Sequence, residues 1–156
     1  MSTEESKAVV ERFFRAMSEG DEAAFGDLVA PDAEIVGALV SGRGPVVYKQ
    51  VSAALRAAFP DVRFTADEML AEGEHVAVRM TTSGTHRGAF MGIAPTGKRL
   101  SWTGAAFYQL RDGRIARQWA LQDRLGAFEQ LGVAPAWVRE PTASSGSAAA
   151  PALSRT

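Results

Sequence analysis

Apolar positions recur every three to four residues near the start of the chain. Val9, Val10, Phe13, Phe14 and Met17 fall on one stripe, the mark of an amphipathic helix. Ser2 followed by Glu5 has capping-box spacing at its start, and Gly20 ends it. Asp21 caps a second, short helix carrying Phe25, Leu28 and Val29, which Pro31 stops. Ala33 to Val40 reads as a strand with Ile35, Val36, Leu39 and Val40. The loop Gly42-Arg43-Gly44-Pro45 then opens a third helix, with Val47, Val51, Ala54, Leu55 and Ala58 on one face. That helix stops at Phe59, because a residue before proline avoids the α region.

From Val62 onward the period changes from helical to alternating. Val62 to Leu70 is one strand, and Gly73-Glu74 a turn. In His75 to His86, Val76, Val78 and Met80 alternate with Ala77, Arg79 and Thr81. Arg87 to Lys98 is a loop with an exposed-looking Phe90-Met91 pair. Two further strands join at a tight Asp112-Gly113 turn, and a short helix with Leu125, Phe128 and Leu131 follows. The order predicts an α+β fold: a curved antiparallel sheet forming a cone, with three N-terminal helices packed over its concave face. One domain spans 1–140. Residues 141–156 are Ala, Ser, Pro and Gly-rich and are expected to be disordered.

Composition narrows the function classes. The chain has 156 residues, a net charge of -1 and 22% charged residues. No basic field exists to hold nucleic acid or an anionic membrane. No run reaches the length of a transmembrane helix, and the acidic start lacks a signal-peptide pattern. Cysteine is absent, which removes thiol nucleophiles and Cys-zinc sites. With only His75 and His86, no metal site is expected, and the expected setting is the cytoplasm. Neither GRGP nor GIAPTG has phosphate-loop spacing, and no GxSxG motif is present.

Strand parity supplies the candidate site. Trp102, Gly104, Ala106 and Tyr108 share one face. Val76, Val78, Met80, Thr82, Gly84 and His86 share another. In the last strand Ile115, Arg117, Trp119, Leu121 and Asp123 share a face unless a bulge intervenes. If these are the inward sets, Asp123 is a carboxylate at the end of an apolar wall. It is either a cap on the last helix or a general acid/base with its pKa raised by desolvation. His86 is either a strand-end histidine tied to backbone or a group that binds substrate and orients Asp123. The candidate binding set is Trp102, Trp119, Tyr108, Met80, Phe14, Phe59, Phe90 and Glu34, suited to a small apolar or polycyclic substrate. Arg117 is expected either to reach out of a sheet edge or to pair with a carboxylate such as Glu34 or Glu68.

The segments AFPD (58–61), GTHRGAFMGIAPTGKRL (84–100), DGRIARQWALQD (112–123) and QLG (130–132) together resemble the SnoaL-like polyketide cyclases. These lie within the nuclear-transport-factor-2-like and ketosteroid-isomerase-like superfamily. The resemblance spans roughly residues 5 to 133. It implies a cone fold, a homodimer, and no metal or organic cofactor. It also implies an aspartate at Asp123 acting as acid/base in an intramolecular aldol ring closure of a polyketide, with His86 lining the same pocket. Two other activities stay open on this fold. Epoxide hydrolysis or epoxide-opening cyclisation needs a second inward carboxylate, Glu34 or Glu68. A non-catalytic small-molecule binder would have Asp123 exposed as a cap and no paired polar groups in its cavity.

Overall fold

The computed structural model describes residues 1–37 and 39–135. The tail expected to be disordered, 141–156, lies outside the described residues. The capping box forms as the spacing requires: Glu5 N donates to Ser2 Oγ at 3.2 Å and Ser2 N to a Glu5 carboxylate oxygen at 2.7 Å. Helix α1 (Thr3–Glu19) buries Val10, Phe13, Phe14 and Met17. Helix α2 (Glu22–Leu28) is followed at once by β1 (Val29–Val36). Strand β1 therefore starts earlier than its apolar run suggests. Pro31 does not stop the helix; it lies inside the strand, where the register with its neighbour shifts between Val29 and Glu34. Proline is tolerated there because a bulge leaves its missing N–H without a ladder partner. A two-residue β2 (Gly42–Arg43) precedes α3 (Pro45–Ala58).

The long strands follow: β3 (Arg63–Glu72), β4 (His75–Thr85), β5 (Arg99–Arg111) and β6 (Arg114–Gln122), with α4 (Arg124–Leu131) at the end. They form one six-stranded sheet in the order β2-β1-β6-β5-β4-β3. The sheet is curved and unclosed, the nuclear-transport-factor-2-like arrangement. It is not wholly antiparallel: β1 runs parallel to β6, because the helical α3 and the later strands separate the two in sequence. Helices α1 to α3 cover the concave side, and α4 closes against β5.

Two bulges decide which side chains face inward. In β6 the register moves from Gln109↔Arg117 to Leu110↔Ile115, which leaves Ala116 as an extra residue. An extra residue inverts strand parity beyond it. Ile115 is buried, but so are Gln118 and Ala120, while Trp119 is 44% and Leu121 60% exposed. A second bulge leaves Asp67 extra in β3. The inward sets expected for β4 and β5 are found: Val76, Val78, Met80, Thr82, Trp102, Ala106 and Tyr108 are all buried.

The outer face carries a row of apolar cross-strand neighbours. Leu70 pairs with Ala77, Ala77 with Phe107, Phe107 with Trp119 and Trp119 with Val36. The rows on either side hold the ion pairs Arg117–Glu34 at 2.9 Å and Arg79–Glu68 at 3.4 Å.

Candidate active site

The concave side holds a cavity of about 80 Å³. Its walls come from α1 (Phe13, Phe14, Met17), α3 (Tyr48, Val51, Leu55), the sheet and α4 (Ala127, Phe128). Tyr48, Val51 and Leu55 meet because they lie three and four residues apart on one helix face. Cross-strand register builds the sheet wall in layers: Tyr108 opposite Gln118, Ala106 opposite Ala120, Gly104 opposite Gln122. Gly104 makes room for its neighbour. A Cβ there would stand 2.6 Å from Gln122 Oε1, so only glycine lets that side chain lie across the strand. The space above Gly104 is thus partly filled, and Gln122 Nε2 reaches Met80 Sδ at 3.5 Å.

The buried polar groups of the wall are neutral. The Tyr48 hydroxyl donates to Gln118 Oε1 at 2.7 Å, both residues being buried. Burial, reinforced by the nearby Tyr108, pushes the Tyr48 phenol well above its ordinary pKa. Burial also raises Tyr108. Both therefore stay protonated donors at neutral pH. Thr82 and Gln122 complete the polar lining, and Arg124 is the one charged side chain among the lining residues. Aromatic edges pack the rest: Phe13 to Tyr48 at 4.6 Å between ring centroids, and Phe90 stacked with Trp102 at 6.0 Å.

Of the residues singled out from sequence, Trp102, Tyr108, Met80, Phe14 and Phe90 line the cavity. The others do not. Phe59 is buried behind the wall, against Phe90 at 5.0 Å and Trp102 at 5.4 Å. Trp119 is turned outward by the Ala116 bulge and packs on Phe107 at 5.9 Å. Glu34 lies on the outer face, where the expected pair with Arg117 forms. His86 is fully buried behind Phe59, with its ring 5.5 Å away. Its Nδ1 accepts from Thr96 N at 3.2 Å and lies 3.0 Å from Thr96 Oγ1. The structure thus ties the His86 ring to the Thr96 backbone N–H and leaves it outside the cavity lining.

Asp123 is exposed and caps α4. Its Oδ1 accepts from Gly126 N at 2.8 Å, and its own N–H donates to Thr103 O at 2.9 Å. It is not part of the cavity wall, although Gln122 and Arg124 on either side of it are. The Phe90-Met91 pair divides: Met91 is exposed, but Phe90 is buried, folded inward by a turn in which Phe90 N and Ile93 N each bond the other's carbonyl.

Parity counting missed Gln118, Ala120 and Gln122 because no sequence signal marked the bulge. Tyr48 was findable, since it shares the helix face of Val51 and Leu55. Among the described residues no group of three or more His, Asp or Glu side chains is gathered as a metal site would need. No described helix is long and apolar enough to cross a membrane.

The profile of the family described as SnoaL-like polyketide cyclase matches residues 7–131. The chain belongs to that family. Several solved structures share its fold over most of both chains. One, from Acidithiobacillus ferrooxidans and described as a candidate polyketide cyclase, is 31% identical with a TM-score of 0.75, covering 86% of this chain and 100% of the other. IdmH from Streptomyces antibioticus, also described as a candidate polyketide cyclase, is 30% identical with a TM-score of 0.74, covering 82% and 99%. AclR from Streptomyces galilaeus, described as a candidate hydroxylase, is 27% identical with a TM-score of 0.76, covering 86% and 89%. No curated protein matches the chain. Membership of a SnoaL-like polyketide cyclase family makes a polyketide-cyclase-type enzyme the coarse assignment. The reaction and substrate are matters for the site.

Proposed function

We propose that this protein closes a ring in a polyketide-type intermediate by acid/base catalysis at the mouth of its cavity. The observation that carries this reading is an aromatic-walled cavity whose buried polar groups, Tyr48 and Gln118, are paired and neutral. Such a wall accepts a flat, largely apolar substrate and orients it through a few polar contacts. The step is an intramolecular aldol addition. A base removes a proton α to one carbonyl, the carbanion attacks a second carbonyl to form the C–C bond, and the resulting alkoxide takes up a proton. A conjugated polyketide enolate spreads its own charge, so the step needs no metal. Asp123 is the base in this reading. It stands between two lining residues, Gln122 and Arg124, and has to leave its cap on Gly126 to act.

Asp123→Asn tests that role. Asparagine caps a helix about as well as aspartate, so the melting temperature should hold. Turnover of a polyketide substrate should fall at least about a hundredfold, the scale of a lost general base. Unchanged turnover would leave Asp123 a cap only.

A second reading is a non-catalytic binder. It is favoured by the exposure of Asp123 and by the lack of any carboxylate or imidazole among the lining residues, and opposed by the Tyr48–Gln118 pair. Epoxide-opening chemistry is less supported: both candidate second carboxylates, Glu34 and Glu68, are engaged by arginines on the outer face. For a partner we propose a second copy of the chain, joined two-fold through the Phe107–Trp119 row. In the flanking rows Arg117 pairs with Glu34, and Arg79 with Glu68 and Asp67, so opposite charges largely offset where two copies would meet.

A further inference from the structure

We propose that the Gln118 amide, fixed by Tyr48, is the carbonyl-binding point of the cavity, and that it takes the leading end of an elongated aryl ketone. The proposal rests on the cavity being the substrate site, but not on any reaction there.

One amide is held in a single orientation by its neighbour. A phenol hydroxyl donates to Gln118 Oε1 at 2.7 Å, so the carbonyl end of that side chain is taken. What remains is Nε2, which can only donate. Gln118 lines the cavity, and the side-chain bond it makes to the protein is the one at its carbonyl end. Directly across the strand pair stands Tyr108, which also lines the cavity. Its phenol is kept protonated by burial. An amide N–H and a phenol O–H therefore line one space whose wall, among the described residues, holds no carboxylate. The complement of two donors in an apolar wall is an oxygen acceptor on an otherwise apolar body.

Burial gives the direction of entry. Tyr48, Tyr108 and Gln118 are at most 5% exposed. Four residues along the same strand Gln122 is half-buried, and beyond it Asp123 and Arg124 are exposed. At about 3.3 Å per strand residue the two ends lie about 13 Å apart. A ligand that touches both holds its carbonyl at the deep end and presents its far end at the mouth. That length suits a fused bicyclic or tricyclic frame better than a single ring.

In this scheme Gln118 binds the ligand and Tyr48 is a positioning residue. The test is calorimetric binding of two matched probes, 1-tetralone and tetralin, which differ in the ketone oxygen. The wild-type protein should bind the ketone about tenfold more tightly, as one net hydrogen bond gives. Gln118→Leu should bring that ratio well below tenfold, with Tyr108 left as the second donor. Tyr48→Phe should lower it as well, because the freed amide can turn its oxygen inward. A purely structural Tyr48 would weaken both probes alike and leave the ratio unmoved. The paired variant Tyr48→Phe with Gln118→Leu removes both partners and leaves no buried orphan, so it guards against misfolding; its ratio should also fall well below tenfold. A wild-type ratio near one, or a tenfold ratio surviving in either Gln118 variant, would overturn the proposal. Failure of ring closure with the probe ratios as expected would overturn the reaction alone.

Discussion

The Tyr48 hydroxyl and Gln118 Oε1, 2.7 Å apart, form a neutral pair inside an aromatic shell. The chain has two tyrosines, and both line the cavity with raised pKa values, caused first by burial. A folded-state value above the unfolded one favours the neutral phenol. Its contribution to stability is complete below the ordinary tyrosine value of 10.0 and is lost as pH rises above it. Tyrosinate absorbance near the ultraviolet edge should therefore be absent in the folded protein at pH values where free tyrosine ionises. It should appear together with unfolding as followed by circular dichroism. Ionisation of either tyrosine in a still-folded protein would contradict this placement. Truncation of the same pair has a cost: Tyr48→Phe leaves a buried carbonyl oxygen alone and should destabilise by about 1–3 kcal/mol, read by urea unfolding. Residues of this kind were partly legible in the sequence. Trp102 and Tyr108 follow from alternation alone. Gln118 does not, since a polar residue between Arg117 and Trp119 gives no sign of facing a cavity.

Between the elements, Asp61 joins the turn after α3 to the end of β4. Its carboxylate accepts from Thr85 N at 2.7 Å and Thr85 Oγ1 at 2.8 Å, with Arg99 at 3.5 Å. These bonds, the Thr85 backbone bond first, hold its pKa below the ordinary 3.8. A lowered folded-state value means that the stabilisation is present above the unfolded pKa and fades as pH falls through the folded one. Asp61→Ala should therefore melt below the wild type at neutral pH, and the two melting curves should converge in strong acid. A gap independent of pH would assign the effect to lost packing. Here too close approach is built in: a Cβ at Gly88 would stand 2.0 Å from Ala57 O, so the loop after β4 can press on α3 only with glycine. Element order and type were readable from periodicity, including the Asp112-Gly113 turn and the capping box. Strand bounds near Pro31 and the side chains of β6 beyond Ala116 were not. Both depend on bulges, and a bulge is set by which neighbouring strand fills the register.

At the scale of the whole molecule, the sheet divides the chain into two apolar surfaces. The inner one is closed by helices and encloses the cavity. The outer one is an open row, with Phe107 57% and Trp119 44% exposed. A lone apolar residue at the surface needs no explanation, but a contiguous row across the sheet is the form an interface takes. Trp119→Glu should convert a dimer to monomer in sedimentation while the far-ultraviolet circular dichroism stays the same. A wild-type chain that sediments as a monomer would remove the two-fold proposal. Fold class was the most legible level of all, because the change from helical to alternating period survives every local irregularity. The second surface was not, since parity had assigned Trp119 to the cavity.

The extra residue at Ala116 has a bearing on how sequences of this family are aligned. Beyond it, β6 presents Gln118, Ala120 and Gln122 to one side and Trp119 and Leu121 to the other. A single-residue gap at that point exchanges the two sets, much as a frameshift exchanges codons. Two relatives that share every letter of the strand beyond the gap then differ in which letters touch a ligand. For a designer, the length of the chain between Arg114 and Gln118 decides which face of β6 each later side chain takes.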